Sequence, residues 1–298
     1  MMEAGSEISI QSNYDVVDCD TLDEFWNNVS PISENFNQPG VHYIYRGQSD
    51  SAWKLIPRVY RQDVIEKYKK GIMSTLKDHT GHWFFEWHLL SVFINYCDSA
   101  GLAIPNDSME FRDYFHQNNI SNIHGISSES WPQDRVVPLM ALAQHHGIPT
   151  RLLDWTNNPY VACYFAAASA INNFPDDGDR LALFALDLNA VHQNRGIKYL
   201  RVPGSTSTNL SSQGGSFILV DNSGYRGDPF IYDVSLESKV TNGIPILKKV
   251  TLPMSMAGEL LLRCDKFRVS AATVFPGYEG IAKAVLESTL AFNFRKNK

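Results

Sequence analysis

From Gln144 to Thr156 the chain reads Gln-His-His-Gly-Ile-Pro-Thr-Arg-Leu-Leu-Asp-Trp-Thr, and Asn157 to Ile171, which follows, carries no formal charge. This junction constrains the fold more than any other segment. Its polar groups abut a run that must be buried, and such groups are costly at a core boundary unless they satisfy one another or a ligand. Asn158 followed by Pro159 predicts a helix start, a side-chain cap and then a residue with no amide to lose. Val161, Tyr164, Phe165 and Ala168 then share one face, while Ala162, Ala166, Ala167 and Ala170 keep the helix slim. A slim helix that is apolar all round is expected to pack closely on two sides.

The rest of the chain supplies the frame. Leu22–Val29 reads as a short amphipathic helix, Glu86–Asp98 and Met109–His116 as further helices, and Val136–Ala143 as an apolar lead into the junction. Val41–Tyr45 is β-prone and is expected to stop at Arg46-Gly47-Gln48, placing a cation where the chain turns. Leu181–Leu188 is a continuous apolar run and predicts a central strand buried on both faces. Phe217–Val220 and Phe230–Val234 read as strands, and Ser255–Phe267 and Glu279–Leu290 as helices. Pro203–Ser216, rich in Gly and Ser, is expected to be a mobile loop. The fold class that follows is α+β: a single mixed α/β domain with a helical N-terminal half and a β-rich C-terminal half. Its expected limits are residues 21–292, after a leader at 1–20 and before a tail at 293–298. With 298 residues and 44% hydrophobic content the chain can bury one large core.

Charge and cysteine content exclude several classes. A net charge of −6 argues against nonspecific polyanion binding by the whole molecule. Residues 46–70 are locally basic, with Arg46, Lys54, Arg58, Arg61, Lys67, Lys69 and Lys70 interleaved with Trp53 and Tyr60. A solvated helix face is the plain reading there, and a nucleic-acid surface the functional one. Cys19, Cys97, Cys163 and Cys264 lie far apart without zinc-site spacing, so no metal site is expected from them. Residues 155–175 are uncharged, but the apolar core at Tyr160–Ile171 is too short to span a bilayer. No signal peptide is visible, and the expectation is a cytoplasmic protein without a membrane partner.

The junction holds the chemically capable groups. His145 or His146 could act as a general base, with one of them buried and hydrogen-bonded as the plain alternative. Arg151 and Asp154, three apart, are expected to pair. Thr156 reads first as a helix cap, and Trp155 as core or as a stacking surface. No phosphate-loop, dinucleotide-fingerprint, zincin or nucleophile-elbow motif occurs in a usable context.

Tyr45-Arg46-Gly47-Gln48 together with Gln144 through Ala166 resembles the FRG domain family, with Tyr45 in the aromatic place of the aromatic-Arg-Gly motif. The long match has the form HxGxPTRLLDWTxxPxxAxxFA and is specific. Gln213–Phe217 and Phe275–Gly280 are weaker matches, and together the resemblance covers about residues 20–290. It implies one mixed α/β domain. The arrangement is also similar to that of ADP-ribosyltransferases, with Arg46 as the first-strand Arg, and Asp154-Trp155-Thr156 leading to Ala162 and Phe165 as the second element. The third element departs: no late Glu-x-Glu occurs, leaving Glu259 and, preferred, Glu279 as candidates.

That resemblance implies an NAD-dependent transferase acting on a macromolecule, nucleic acid favoured slightly over protein, in a bacterial toxin or phage-defence setting with a neutralising antitoxin partner. Arg46, His145, Asp154, Thr156 and Glu279 would carry the chemistry. Tyr45, Arg46, Gly47, Gln48, Arg151, Trp155 and Tyr164 would hold NAD, an Arg fork suiting a pyrophosphate and an aromatic face suiting nicotinamide. Two alternatives stay open: a metal-dependent nuclease using His145, Asp154 and a third carboxylate, and a non-catalytic binding module.

Overall fold

A computed structural model describes residues 14–69, 78–116, 127–173, 180–204, 211–240 and 246–296. The described residues are α+β, built on a seven-stranded mixed sheet. In chain order the elements are β1 (Asp15–Asp18), α1 (Leu22–Val29), β2 (Tyr43–Gln48), α2 (Gln62–Tyr68), α3 (His79–Ser99), α4 (Met109–Tyr114), α5 (Val137–His145), β3 (Leu152–Thr156) and α6 (Pro159–Asn173). There follow β4 (Arg180–Asp187), α7 (Leu188–Val191), β5 (Ile197–Leu200), β6 (Gly215–Val220), β7 (Leu247–Pro253), α8 (Ala257–Lys266), α9 (Ala271–Val274) and α10 (Tyr278–Lys296).

The strands lie in the order β1-β7-β4-β2-β3-β6-β5. Only the edge pair β1 and β7 is parallel; the other neighbours run antiparallel. β4 is the buried inner strand expected of the Leu181–Leu188 run, with every residue from Leu181 to Leu186 fully covered. β2 continues through Arg46-Gly47 instead of stopping there, because Tyr43 to Gln48 all pair with β4. Asp15–Asp18, ahead of position 21, add an edge strand.

Two strands had little sequence signal. β7 carries Lys248 and Lys249, which break an apolar pattern, yet both side chains are accommodated. Lys248 Nζ donates to the Asn35 carbonyl at 2.9 Å, and the Lys249 Nζ lies 5.5 Å from the centre of the Phe184 ring. β5 is short and lies at the opposite edge. Conversely, Phe230–Val234 forms no strand: Asp233 has a left-handed φ of +54° that turns the chain, and its N–H donates to the Tyr60 carbonyl. Of the expected Pro203–Ser216 loop, residues 205–210 lie outside the described residues, and Gly215 and Ser216 open β6.

Three apolar clusters hold the layers. One joins α6, α8 and α1 to one face of β2, β4 and β7. A second lies under the other face, with Ile44, Trp155, Phe184 and Ile218 from the sheet meeting Tyr60 and Phe85. The third packs α3, α4 and α5 around Trp131, Leu152 and Phe217.

The slim face of α6 explains itself at Gly47. A Cβ there would lie 1.9 Å from the Ala162 carbonyl oxygen and 2.9 Å from the Ala166 amide nitrogen. Helix and strand touch backbone to backbone, which only Gly on β2 and Ala on α6 permit. The helix starts as expected: the Asn158 Oδ1 accepts the Tyr160 N–H at 2.9 Å, with Pro159 before it.

The start of β3 is anchored by a buried carboxylate. Glu86 on α3, with no exposed surface, accepts the Arg151 backbone N–H at 2.9 Å, the Arg151 Nε at 2.7 Å and the Trp131 Nε1 at 2.8 Å. Burial opposes the Arg151 charge, but Glu86 and the neighbouring Tyr60 outweigh it and hold the guanidinium above its ordinary value. Close by, His82 is stacked on Phe230 at 3.8 Å, and its Nε2 lies 2.9 Å from the Val59 carbonyl. Burial pushes its imidazole down to about 3.

Three outcomes follow from this packing. Gly47→Ala should lower stability by about 1–3 kcal/mol or more, since α6 must retreat; an unchanged thermal midpoint would show that the contact is slack. Glu86→Gln should cost about 3–5 kcal/mol, the range for stranding one member of a buried pair, read by denaturant unfolding. For His82 the folded value lies below the unfolded value of about 6.5, so the unfolded chain binds the extra proton and stability falls as pH drops through that window. The stability gap between the natural protein and His82→Gln should therefore narrow below pH ~6, by up to roughly 1.4 kcal/mol per unit. A gap that stays constant down to pH ~5 would contradict this.

Candidate functional site: a cleft at a split in the sheet

β2 and β3 are sheet neighbours, but they pair only at Tyr45 and Thr156. Beyond that contact they diverge, and a cleft of about 410 Å³ opens over the gap. Tyr45, Arg46 and Gly47 border it from β2, and Asp154, Trp155 and Thr156 from β3. Ala162, Phe165 and Ser169 of α6 form one wall, Ala141, Gln144 and His145 of α5 another, and Gln213, Phe217 and Phe275 close the remainder. The volume falls in the range of small-molecule sites.

Arg46 spans the split. Its Nη1 donates to the Asp154 backbone carbonyl at 2.7 Å and lies 3.8 Å from the Asp154 Oδ2. The guanidinium thus replaces the ladder bond that the diverging strands do not make. Its Nε is buried without a hydrogen-bond partner among the described residues. Burial lowers the Arg46 value, and Asp154 works in the opposite direction.

Asp154 is the carboxylate in the cleft lining, and its side chain is 67% exposed. The Gln144 Nε2 donates to its Oδ1 at 2.6 Å, and the Thr150 hydroxyl donates to the Gln144 Oε1, fixing which way the amide faces. The Leu152 N–H in turn donates to the Thr150 Oγ1. His145 ends α5 at the rim. It is held below its ordinary value by partial burial and by His146, against Asp154 and Glu279. A neutral imidazole beside a carboxylate suits proton acceptance. Thr156 donates its hydroxyl to the Gln213 carbonyl at 2.6 Å and accepts the Asn158 N–H at 3.1 Å, so it ties β3 to the segment before β6 and shapes the entry to α6.

Several sequence expectations are corrected here. Arg151 does not pair with Asp154. Alternation along β3 sends residues 151, 153 and 155 to one face and 152, 154 and 156 to the other, so Arg151 goes to Glu86 and Asp154 to the cleft. For the same reason the Trp155 ring packs in the cluster beneath the sheet and offers the cleft no stacking face. Tyr164 is fully buried and donates its hydroxyl to Glu287 at 2.9 Å. Gln48 is buried and outside the cleft lining, and Tyr45 is 4% exposed with its ring edge-on to Phe36. Neither His145 nor His146 is buried. Glu279 stands exposed in the first turn of α10, outside the lining but within electrostatic reach of His145. Glu259 does not line the cleft either.

Sequence reading missed Gln144 and Gln213 as cleft residues. Gln213 arrives just ahead of β6, which runs beside β3, and so reaches the cleft lining. The signal was present in Gln213-Gly214-Gly215: Gly214 has a φ of +56° and presses on Asn157, leaving no room for a side chain. Among the described residues no three His, Cys, Asp or Glu side chains converge to hold a metal ion, and no helix is long and apolar enough to cross a membrane.

The FRG domain family model matches residues 41–173, from just before β2 to the end of α6. The match therefore spans both sides of the split, Arg46-Gly47 and Asp154-Trp155-Thr156, together with the helix packed on Gly47. No curated protein and no solved structure matches the chain. The chain carries an FRG domain, and its cleft is lined mainly by that domain's residues.

Proposed function

We propose that the protein is an NAD-dependent ADP-ribosyltransferase acting on a cellular macromolecule, with the cleft at the sheet split as its active site. The observation that carries this reading is the meeting of Arg46 and Asp154 across the split, at the mouth of α6. NAD supplies an activated bond between nicotinamide and the ribose carbon. As that bond breaks, positive charge grows at the carbon, and a carboxylate fixed nearby lowers the barrier. Asp154 is held for this by Gln144 on one oxygen and by Arg46 near the other. Arg46 keeps Nη1 on the strand, and its guanidinium, at the border of the cleft, would meet a phosphate oxygen. Phe165 and Phe275 supply the apolar walls that a flat ring requires, in place of Trp155 and Tyr164. His145, kept neutral at the rim, takes the proton from the attacking group.

On the acceptor side in this reading, a cation flanks the rim. Arg58, exposed, donates to the Gly147 carbonyl in the turn directly after His145 and His146. Trp53 is 53% exposed in the same stretch of sequence. A polyanionic acceptor suits this rim, so nucleic acid is favoured over protein. A toxin or defence role, with a neutralising partner in the producing cell, belongs to the same proposal.

The test is incubation of the purified full chain with labelled NAD and cell extract. Label should pass to a macromolecule, most of it nuclease-sensitive, with free nicotinamide released. Arg46→Ala and Asp154→Asn should each reduce transfer by roughly 10²–10³-fold. Absence of both transfer and nicotinamide release, with Arg46→Ala indistinguishable from the natural protein in cells, would leave the binding-module reading in its place.

A further inference from the structure

α10 is apolar on two opposite sides. Its inner side packs Ala284, Leu290, Ala291 and Phe294 against the domain. Its outer side exposes Tyr278 at 92%, Ile281 at 51%, Val285 at 60% and Phe292 at 55%. At about 100° per residue these four fall within an arc of roughly 60°, with Leu286, 66% exposed, on its flank. No charge falls in that arc: Glu279 and Lys283 lie to one side of it, and Glu287 points inward, bonded to Tyr164. An exposed apolar stripe opposite a packed face is a mark of a surface that meets a partner.

We propose that this outer stripe is covered by a second copy of the chain, two α10 helices crossing antiparallel about a two-fold axis at Val285. The stripe is self-complementary in that register. With Val285 facing its own copy, Tyr278 meets Phe292, Ile281 meets Thr289, and the small Ala282 meets the small Ser288. Aromatic pairs close both ends and small residues let the backbones approach between them. The area is sufficient. Scaling these exposures by ordinary side-chain areas gives roughly 600 Å² of apolar surface, at the upper end of what single chains leave open. With Ala282, Ser288 and Thr289 added, each copy approaches the ~800 Å² typical of a stable interface. Phe275 and Glu279 at the start of α10 place one end of this interface beside the cleft rim, although the inference does not depend on what the cleft does.

Sedimentation of the full chain up to about 100 µM tests it. The natural protein should show twice the 33.6 kDa chain mass. Val285→Lys, at an exposed position that leaves thermal unfolding of the monomer unchanged, brings two like charges face to face and should weaken association at least ~100-fold. Val285→Cys should give a disulfide-linked dimer under mild oxidant, the four native cysteines being buried. A monomer at every concentration, a dimer indifferent to Val285→Lys, or no Val285→Cys cross-link would each overturn the proposal. So would a monomer that binds a different protein through this face.

Discussion

The cleft exists because two neighbouring strands touch at a single point. β2 and β3 share the Tyr45–Thr156 contact and then part, and a sheet that parts leaves backbone groups without partners. Arg46 makes good that loss at the Asp154 carbonyl. A cation is thereby installed at the floor of the opening as a consequence of how the sheet is held together. One side chain thus ties the two strands together and borders the cleft.

Two further constraints keep the split in shape. α6 lies backbone to backbone on Gly47, which fixes β2 beneath the helix that walls the cleft. Glu86 holds Arg151 and Trp131 on the far side of β3, which fixes where that strand begins. Between them Asp154 has little freedom in its backbone, and Gln144, set by Thr150, aims its carboxylate. Arg151 of the buried Arg–Glu pair and Asp154 of the Arg–Asp pair lie close together in the chain, yet the two pairs differ in kind. The first is desolvated on both partners and acts on stability; in the second Arg46 is largely covered while the Asp154 carboxylate is 67% exposed in the cleft lining.

Much of the frame was legible in the residues. The Asn158-Pro159 start and Ala-rich face of α6 have local causes, as do the buried run of β4 and the amphipathic α1, and each appears where its pattern places it. Arg46 and Asp154 stood out in the sequence as candidates through their motifs, although only the fold brings them to one cleft and within 2.7 Å, from the Arg46 Nη1 to the Asp154 carbonyl. Phe230–Val234 was misread as a strand because its apolar residues serve His82 and the turn at Asp233, and a pattern of polarity does not distinguish those uses. β7 was missed because its two Lys hide their stems and deliver their charges elsewhere.

By itself the sequence determined the short-range matters: helix starts, buried runs, the slim face of α6, and the residue types gathered at the junction. These depend on backbone preference and on periodicity, which neighbours in the chain set. Only the tertiary structure decided partnership. Arg151 goes to Glu86, sixty-five residues earlier, while Arg46 reaches Asp154 across the split. Trp155 and Tyr164 turn away from the cleft, and Gln144 and Gln213 turn into it. The reason is geometric. A strand sends successive side chains to opposite faces, and what waits on each face is set by elements far away in sequence.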